Sequence, residues 1–144
     1  GLSMGLRAGV TLELANARSK GRLPELSGFR VTLIEDGRLD AELDIRPEIL
    51  APNGYLHAAT VVALADTACG YGCLCHLPDA MANFTTIELK TNFIGTAREG
   101  TIAVIARPVH QGATTQVWDA VVRRKADDRT IALFRCTQML LPPR

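Results

Sequence analysis

The sequence predicts an α+β fold in which an antiparallel sheet carries one long apolar helix on one face. Three observations predict it. The stretch APNGYLHAATVVALADTACGYGCLC, residues 51–75, reads as a loop followed by a helix that is apolar nearly all round, the mark of a buried helix. That helix is rich in small residues, including Ala58, Ala59, Ala63, Ala65, Ala68, Gly70 and Gly72, as a sheet wrapped closely around it would require. The flanking segments alternate apolar and polar residues with the period of two that marks half-buried strands.

At 144 residues the chain reads as one domain, residues 1–144, with one core. A first helix is expected over residues 1–22, with Val10, Leu14 and Ala17 on one face; Gly21 stops it and Pro24 ends any continuation. It would act as a lid or an edge-packing helix. Residues 28–35 alternate as a strand, and Asp36-Gly37 is a hairpin turn signal. Leu39, Ala41, Leu43 and Ile45 then face in, while Asp40, Glu42, Asp44 and Arg46 face out, until Pro47 closes the strand. The central helix spans 57–76, and Leu77-Pro78 ends it.

Four strands follow, over residues 82–94, 101–110, 115–125 and 130–141. In the first, Thr85, Ile87, Leu89, Thr91 and Phe93 share one face, and Phe84, Thr86, Glu88, Lys90 and Asn92 the other. Short turns join the four, so a meander of antiparallel neighbours is expected.

The formal net charge is +1, from 16 basic and 15 acidic residues. That balance argues against a nucleic-acid partner, which needs a clustered basic excess. No stretch reads as a membrane span, because the longest apolar segment carries His57 and Asp66. The N-terminal GLSMGLRAGV lacks a secretory layout, so a cytoplasmic protein is expected. Cys69, Cys73, Cys75 and Cys136 do not have the spacing of a disulfide framework or of a zinc ribbon, and they read as buried thiols. No metal is expected, even with His76 beside Cys75.

The chemistry centres on Asp66. From His57 to Cys75 there is no Lys, Arg or Glu, so nothing on the helix pairs it. An acid buried without compensation is costly, which marks Asp66 as a functional candidate. The second candidate group is the helix start: Asn53, Gly54, His57 and the backbone of Ala58. Free N–H groups and the dipole at a helix N-terminus can polarise a carbonyl oxygen. Asp66 lies eight residues beyond Ala58, ~12 Å along the axis. One helix therefore cannot bring both to one small carbonyl, but two antiparallel copies can, across a two-fold dimer.

The run NGYLHAATVVALADTACGYG resembles the signature of the hot-dog-fold acyl-CoA thioesterases, in which H-G-G leads into a helix bearing A-L-A-D-T-A. TTIELKTNFIGTAREGTIAVIARPVHQG is similar to the next two strands of that superfamily's PaaI-like (phenylacetic acid degradation) members. The resemblance implies an antiparallel β-sheet wrapped around one long central helix, dimers that pair into homotetramers, and hydrolysis of an acyl-CoA thioester. It implies Asp66 as general base or nucleophile, the Ala58 amide as oxyanion donor, and roles for His57, Asn53 and Thr67. Gly54, Ala59, Lys90, Asn92 and Arg98 become candidates for holding the rest of the substrate. Coenzyme A arrives as part of that substrate, so no cofactor is expected. The chain departs from the pattern in three places: H-A-A replaces H-G-G, Ala51 stands where a polar residue is common, and Gly70 where Ser or Thr is. Aryl or medium-chain acyl groups are the expected substrates. A non-catalytic acyl-CoA sensor on the same fold is the alternative, with a dehydratase or hydratase ranked below it.

Overall fold

The computed structural model describes residues 5–144. The chain runs α1 (Leu12–Ala17), α2 (Leu23–Ser27), β1 (Arg30–Glu35), β2 (Arg38–Asp44), a 3₁₀ turn (Pro47–Ile49), α3 (Ala58–Cys75), β3 (Asn83–Phe93), β4 (Thr101–Gln111), β5 (Thr115–Arg124) and β6 (Thr130–Leu141). The strands form one antiparallel sheet in the order β1-β2-β4-β5-β6-β3, and α3 lies on one of its faces. This is the sheet wrapped around a helix that the sequence predicts.

The core sits between them. Val61, Leu64, Ala65, Ala68 and Cys69 of α3 are buried against Leu39, Leu43, Ile102, Val104 and Trp118 of the sheet. Two glycines allow the close approach. A Cβ at Gly72 would lie 2.6 Å from the Trp118 ring, and one at Gly70 would lie 2.9 Å from the Phe84 ring. Trp118 cannot retreat: it is fully buried and its Nε1–H donates to Gln116 at 2.7 Å. Gly72→Ala should therefore destabilise by about 1–3 kcal/mol, read as a lower denaturation midpoint. Gly70→Ala should cost less, because Phe84 is only half-buried and can shift. Equal costs at the two positions would contradict this packing.

By length and composition α3 could cross a membrane, but 50% of it is buried inside the molecule. All four cysteines are buried and free.

Four expectations are corrected. Of the helix expected over 1–22, the described residues form only α1 (Leu12–Ala17), and a second short helix, α2, follows it from Leu23. Thr11 caps α1, its Oγ1 accepting from Leu14 N–H at 3.1 Å, and the helix ends by Ala17. Met4 and the residues before it lie outside the described residues. Pro24 starts α2 rather than ending a helix; in a first turn its missing N–H costs nothing.

The expected meander fails at β3, which pairs with β6 at the far edge and not with β4. Residues 94–100 carry the chain across the sheet's end, where the Ala97 carbonyl accepts from Leu56 N–H at 2.8 Å. Within β3 a bulge between Thr86 and Glu88 shifts the register. Phe84 and Thr86 therefore face α3 with Leu89, Thr91 and Phe93, opposite inward residues of β6 such as Leu140, Cys136 and Phe134.

His76 ends α3 and fastens the first hairpin to it. The ring is fully buried and packs edge-on against Trp118. Its Nε2 accepts from Gly37 N–H at 2.9 Å, so Nδ1 carries the proton and donates to the Gly72 carbonyl at 2.7 Å. This geometry suits only the neutral ring. Burial lowers the His76 pKa from 6.5, against the opposing pull of the Asp36 carboxylate 3.7 Å away. The unfolded chain therefore binds the proton more readily than the folded one. The stabilisation from His76 is complete above about pH 6.5 and is lost as pH falls through the lower folded value. Unfolding free energies at pH 5 and pH 7.5 should show the loss, and His76→Gln should flatten it. A protein that gains stability on acidification through this window would refute the Nδ1–H tautomer.

Candidate active site

The helix start is built by local bonds. His57 caps α3 with extended backbone, and its Nδ1 accepts from Ala59 N–H at 2.9 Å. The ring is thereby oriented with Nε2–H outward. The His57 carbonyl accepts from Thr60 N–H at 3.0 Å and from Val61 N–H at 3.3 Å. Ala58 N–H has no partner among the described residues, and Ala58 is exposed. The helix start therefore presents two free donors, Ala58 N–H and His57 Nε2–H, and the Ala59 N–H is already used.

The loop before it is held by its own residues. The Asn53 side-chain oxygen accepts from Tyr55 N–H at 3.1 Å, an Asx turn. Gly54 has φ +86, a left-handed conformation that glycine takes without strain. The Arg98 guanidinium stacks on the Tyr55 ring at 4.7 Å, close against Gly54. Asn53, Gly54 and Arg98 thus stand together at the helix start.

Asp66 is half-buried on α3, and its Oδ1 is buried with no hydrogen-bond partner among the described residues. Desolvation alone pushes its pKa above 3.8. A buried carboxylate oxygen without a donor is costly and rare in a settled structure. Thr67 is the next residue, turned ~100° around the axis. The ~12 Å from Ala58 remains, so within one chain the free donors and the free acceptor do not meet.

Lys90 and Asn92 are elsewhere. Their partners in β6 are Arg135 and Leu133, both exposed, and with Asp119 they line a shallow cleft on the sheet face turned away from α3. Within this chain they do not join Asp66 or the helix start. Among the described residues no cluster of three His, Cys, Asp or Glu could hold a metal.

Two features escaped the sequence reading. A cavity of about 150 Å³ lies under the helix start, lined by Ala58, Phe93, Gly95 and Thr96 among others. A groove of about 460 Å³ runs beside Ala59 and Ala63, walled by Leu23, Leu26 and Ile49. Its signal was present: Leu23 and Leu26 are 63% and 69% exposed, and the Leu-x-x-Leu spacing of a short helix puts them on one side.

Comparison with known proteins gives the family. Residues 53–131 match the model of the thioesterase superfamily, a span that takes in the helix start, Asp66 and β3 to β5. The 1,4-dihydroxy-2-naphthoyl-CoA hydrolase of Escherichia coli is 30% identical over 76% of this chain and 79% of that protein. The proofreading thioesterase EntH of Cronobacter turicensis is 28% identical over 78% of this chain and 82% of that protein. A mutant form of thioesterase PA1618 from Pseudomonas aeruginosa superposes with a TM-score of 0.90 at 27% identity, over 96% of this chain and 99% of that one. The chain belongs to the thioesterase superfamily, as a thioester hydrolase of the hot-dog fold.

Proposed function

We propose that this protein hydrolyses an acyl-CoA with an aryl or medium-chain acyl group, in the manner of the PaaI-like thioesterases. The observation that carries the reading is the partnerless Asp66 oxygen on an otherwise apolar, small-residue helix. Asp66 draws a proton from water as the water oxygen attacks the thioester carbon. The oxyanion that forms is held by Ala58 N–H, with His57 Nε2–H beside it. The C–S bond then breaks, and the proton held on Asp66 passes to the departing sulfur of CoA. In the nucleophilic variant Asp66 attacks the carbon itself, the C–S bond breaks as CoA leaves as its thiolate, and water then cleaves the resulting anhydride to the free acid and the Asp66 carboxylate. No metal or cofactor enters either route.

The Ala58 donor comes from a partner copy, because ~12 Å separates the two groups in one chain. An outer edge suited to such pairing is β3, eleven residues long with Ile87 55% and Leu89 42% exposed. Two dimers join as a tetramer. The apolar groove beside Ala59 and Ala63 takes the acyl group, and Arg98 at the helix start takes the CoA side. An aromatic acyl-CoA hydrolase among the relatives supports an aryl substrate.

The test is thiol release from a panel of aryl and aliphatic acyl-CoAs. Turnover of at least one class is expected, with its best member naming the acyl group. CoA esters that bind without turnover would make the protein a sensor. Ile87→Lys, which charges the β3 edge, should give monomers by analytical ultracentrifugation and lose turnover with them. A fully active Ile87→Lys monomer would end the shared-site reading.

A further inference from the structure

A second cleft, of about 310 Å³, lies between α1 and the C-terminal half of α3. Its apolar walls come from Leu14, Tyr71 and Leu74, and two arginines, Arg7 and Arg18, are among the residues that line it. No carboxylate of the described residues lies within 4.0 Å of either guanidinium, whereas Arg30, Arg38 and Arg135 all have one. Two cationic residues lining one cleft with no acid among its lining residues favour an anion there. Arg7 is held in place by its backbone, whose N–H donates to the Cys75 carbonyl at 2.8 Å. Its Nη1 makes a long contact with the Met81 carbonyl, 3.4 Å, and its other donors stay open.

The walls are equally fixed. The Tyr71 hydroxyl bonds to the buried Ser19 hydroxyl at 2.8 Å, and its ring meets Phe29 edge-on. The Cys75 thiol at the floor is neutral, since burial raises its pKa against the opposing effect of Arg18. No negative charge is therefore built into the cleft. Cys75 is nine residues beyond Asp66, ~13 Å along α3, so the cleft is set apart from that carboxylate.

We propose that this cleft binds a small free carboxylic acid with an apolar body. The carboxylate lies between the Arg7 and Arg18 guanidinium groups, which suit its planar fork, and the body lies against Leu14, Tyr71 and Leu74. The inference stands without the thioesterase mechanism.

Benzoate and hexanoate are the probes, with benzamide and hexanamide as uncharged matches, titrated into the full-length protein by calorimetry. The acids should bind saturably and about 10-fold or more tighter than the amides. Arg7→Gln and Arg18→Gln should each weaken acid binding by a similar factor without lowering the melting temperature appreciably. Bound acid should also slow maleimide labelling of Cys75, the most exposed of the four buried thiols at 7%. Equal affinity for acids and amides would overturn the proposal. So would acid binding that survives both arginine changes, or that disappears in Asp66→Asn, which would place the acid beside Asp66 instead.

Discussion

Asp66→Asn should lower kcat by about 10²–10⁴-fold and raise the melting temperature at pH 7. The first effect follows from the proposed mechanism, in which Asp66 is the group that takes a proton from water. The second follows from the same burial. The folded state holds the Asp66 proton more tightly than the unfolded chain does, because desolvation raises its pKa above 3.8. The destabilisation it causes is absent below about pH 3.8, grows as pH rises through the elevated folded value, and is full above it. Asn carries no such charge. Melting curves of the two proteins should therefore separate at neutral pH and converge near pH 4. The wild-type kcat should rise with pH along a limb displaced above the usual carboxylate range. An inactive variant that is also less stable would mean that Asp66 has a partner holding it in the ionised form. Wild-type turnover by the variant would remove Asp66 from the mechanism altogether.

Trp118→Ala should destabilise by about 3–5 kcal/mol, on the order of 10 °C in melting temperature for a domain of this size. Trp118 is the largest fully buried side chain. It fills the space left open by Gly72, packs edge-on against His76 and supplies a hydrogen bond to Gln116. Truncation leaves a cavity and an unpaired Gln116 oxygen at once. The neighbouring substitution gives an internal check. Gly72→Ala should cost less in the Trp118→Ala background than in wild type, since its Cβ then enters vacated space. Strict additivity of the two would show that the ring and the helix backbone are not in the contact described. Guanidinium titrations of the four proteins in this cycle settle the point.

How much of this was legible in the sequence depended on whether the signal was local. The Asp36-Gly37 turn, the alternation of β2 and the small residues of α3 each specify their own conformation, and they were read within a residue or two. The place of β3 was not legible. Nothing inside residues 83–93 says whether the strand pairs with the one that follows it or with the last one. That is decided by the crossing at 94–100 and by a bond from Leu56, which lies far away in sequence. The bulge after Thr86 was hidden for a related reason: one extra residue reverses the faces on one side of it and leaves the composition unchanged. Pro24 misled because the residue suits a helix start as well as a helix end. At the site, Asp66 stood out as a lone acid in an apolar run, and the helix start by its position. The Nδ1 bond from His57 to Ala59, which frees Nε2, depends on a side-chain torsion that no spacing encodes.

The pairing of β3 with β6 also has a consequence for how the chain is made. Asn83 pairs with Leu141 and Phe93 with Ala132, so the ladder joins segments about forty to sixty residues apart in the sequence. On a ribosome β3 emerges well before its partner, and until β6 is synthesised it has nothing on either side. The apolar α3 precedes it and has no complete sheet to lie on. The nascent protein thus passes through an interval in which its most hydrophobic helix and an unpaired eleven-residue strand are both uncovered, a state that invites chaperones or misassociation. Contacts so distant close slowly, so refolding from denaturant should be slower than for a helical protein of equal length.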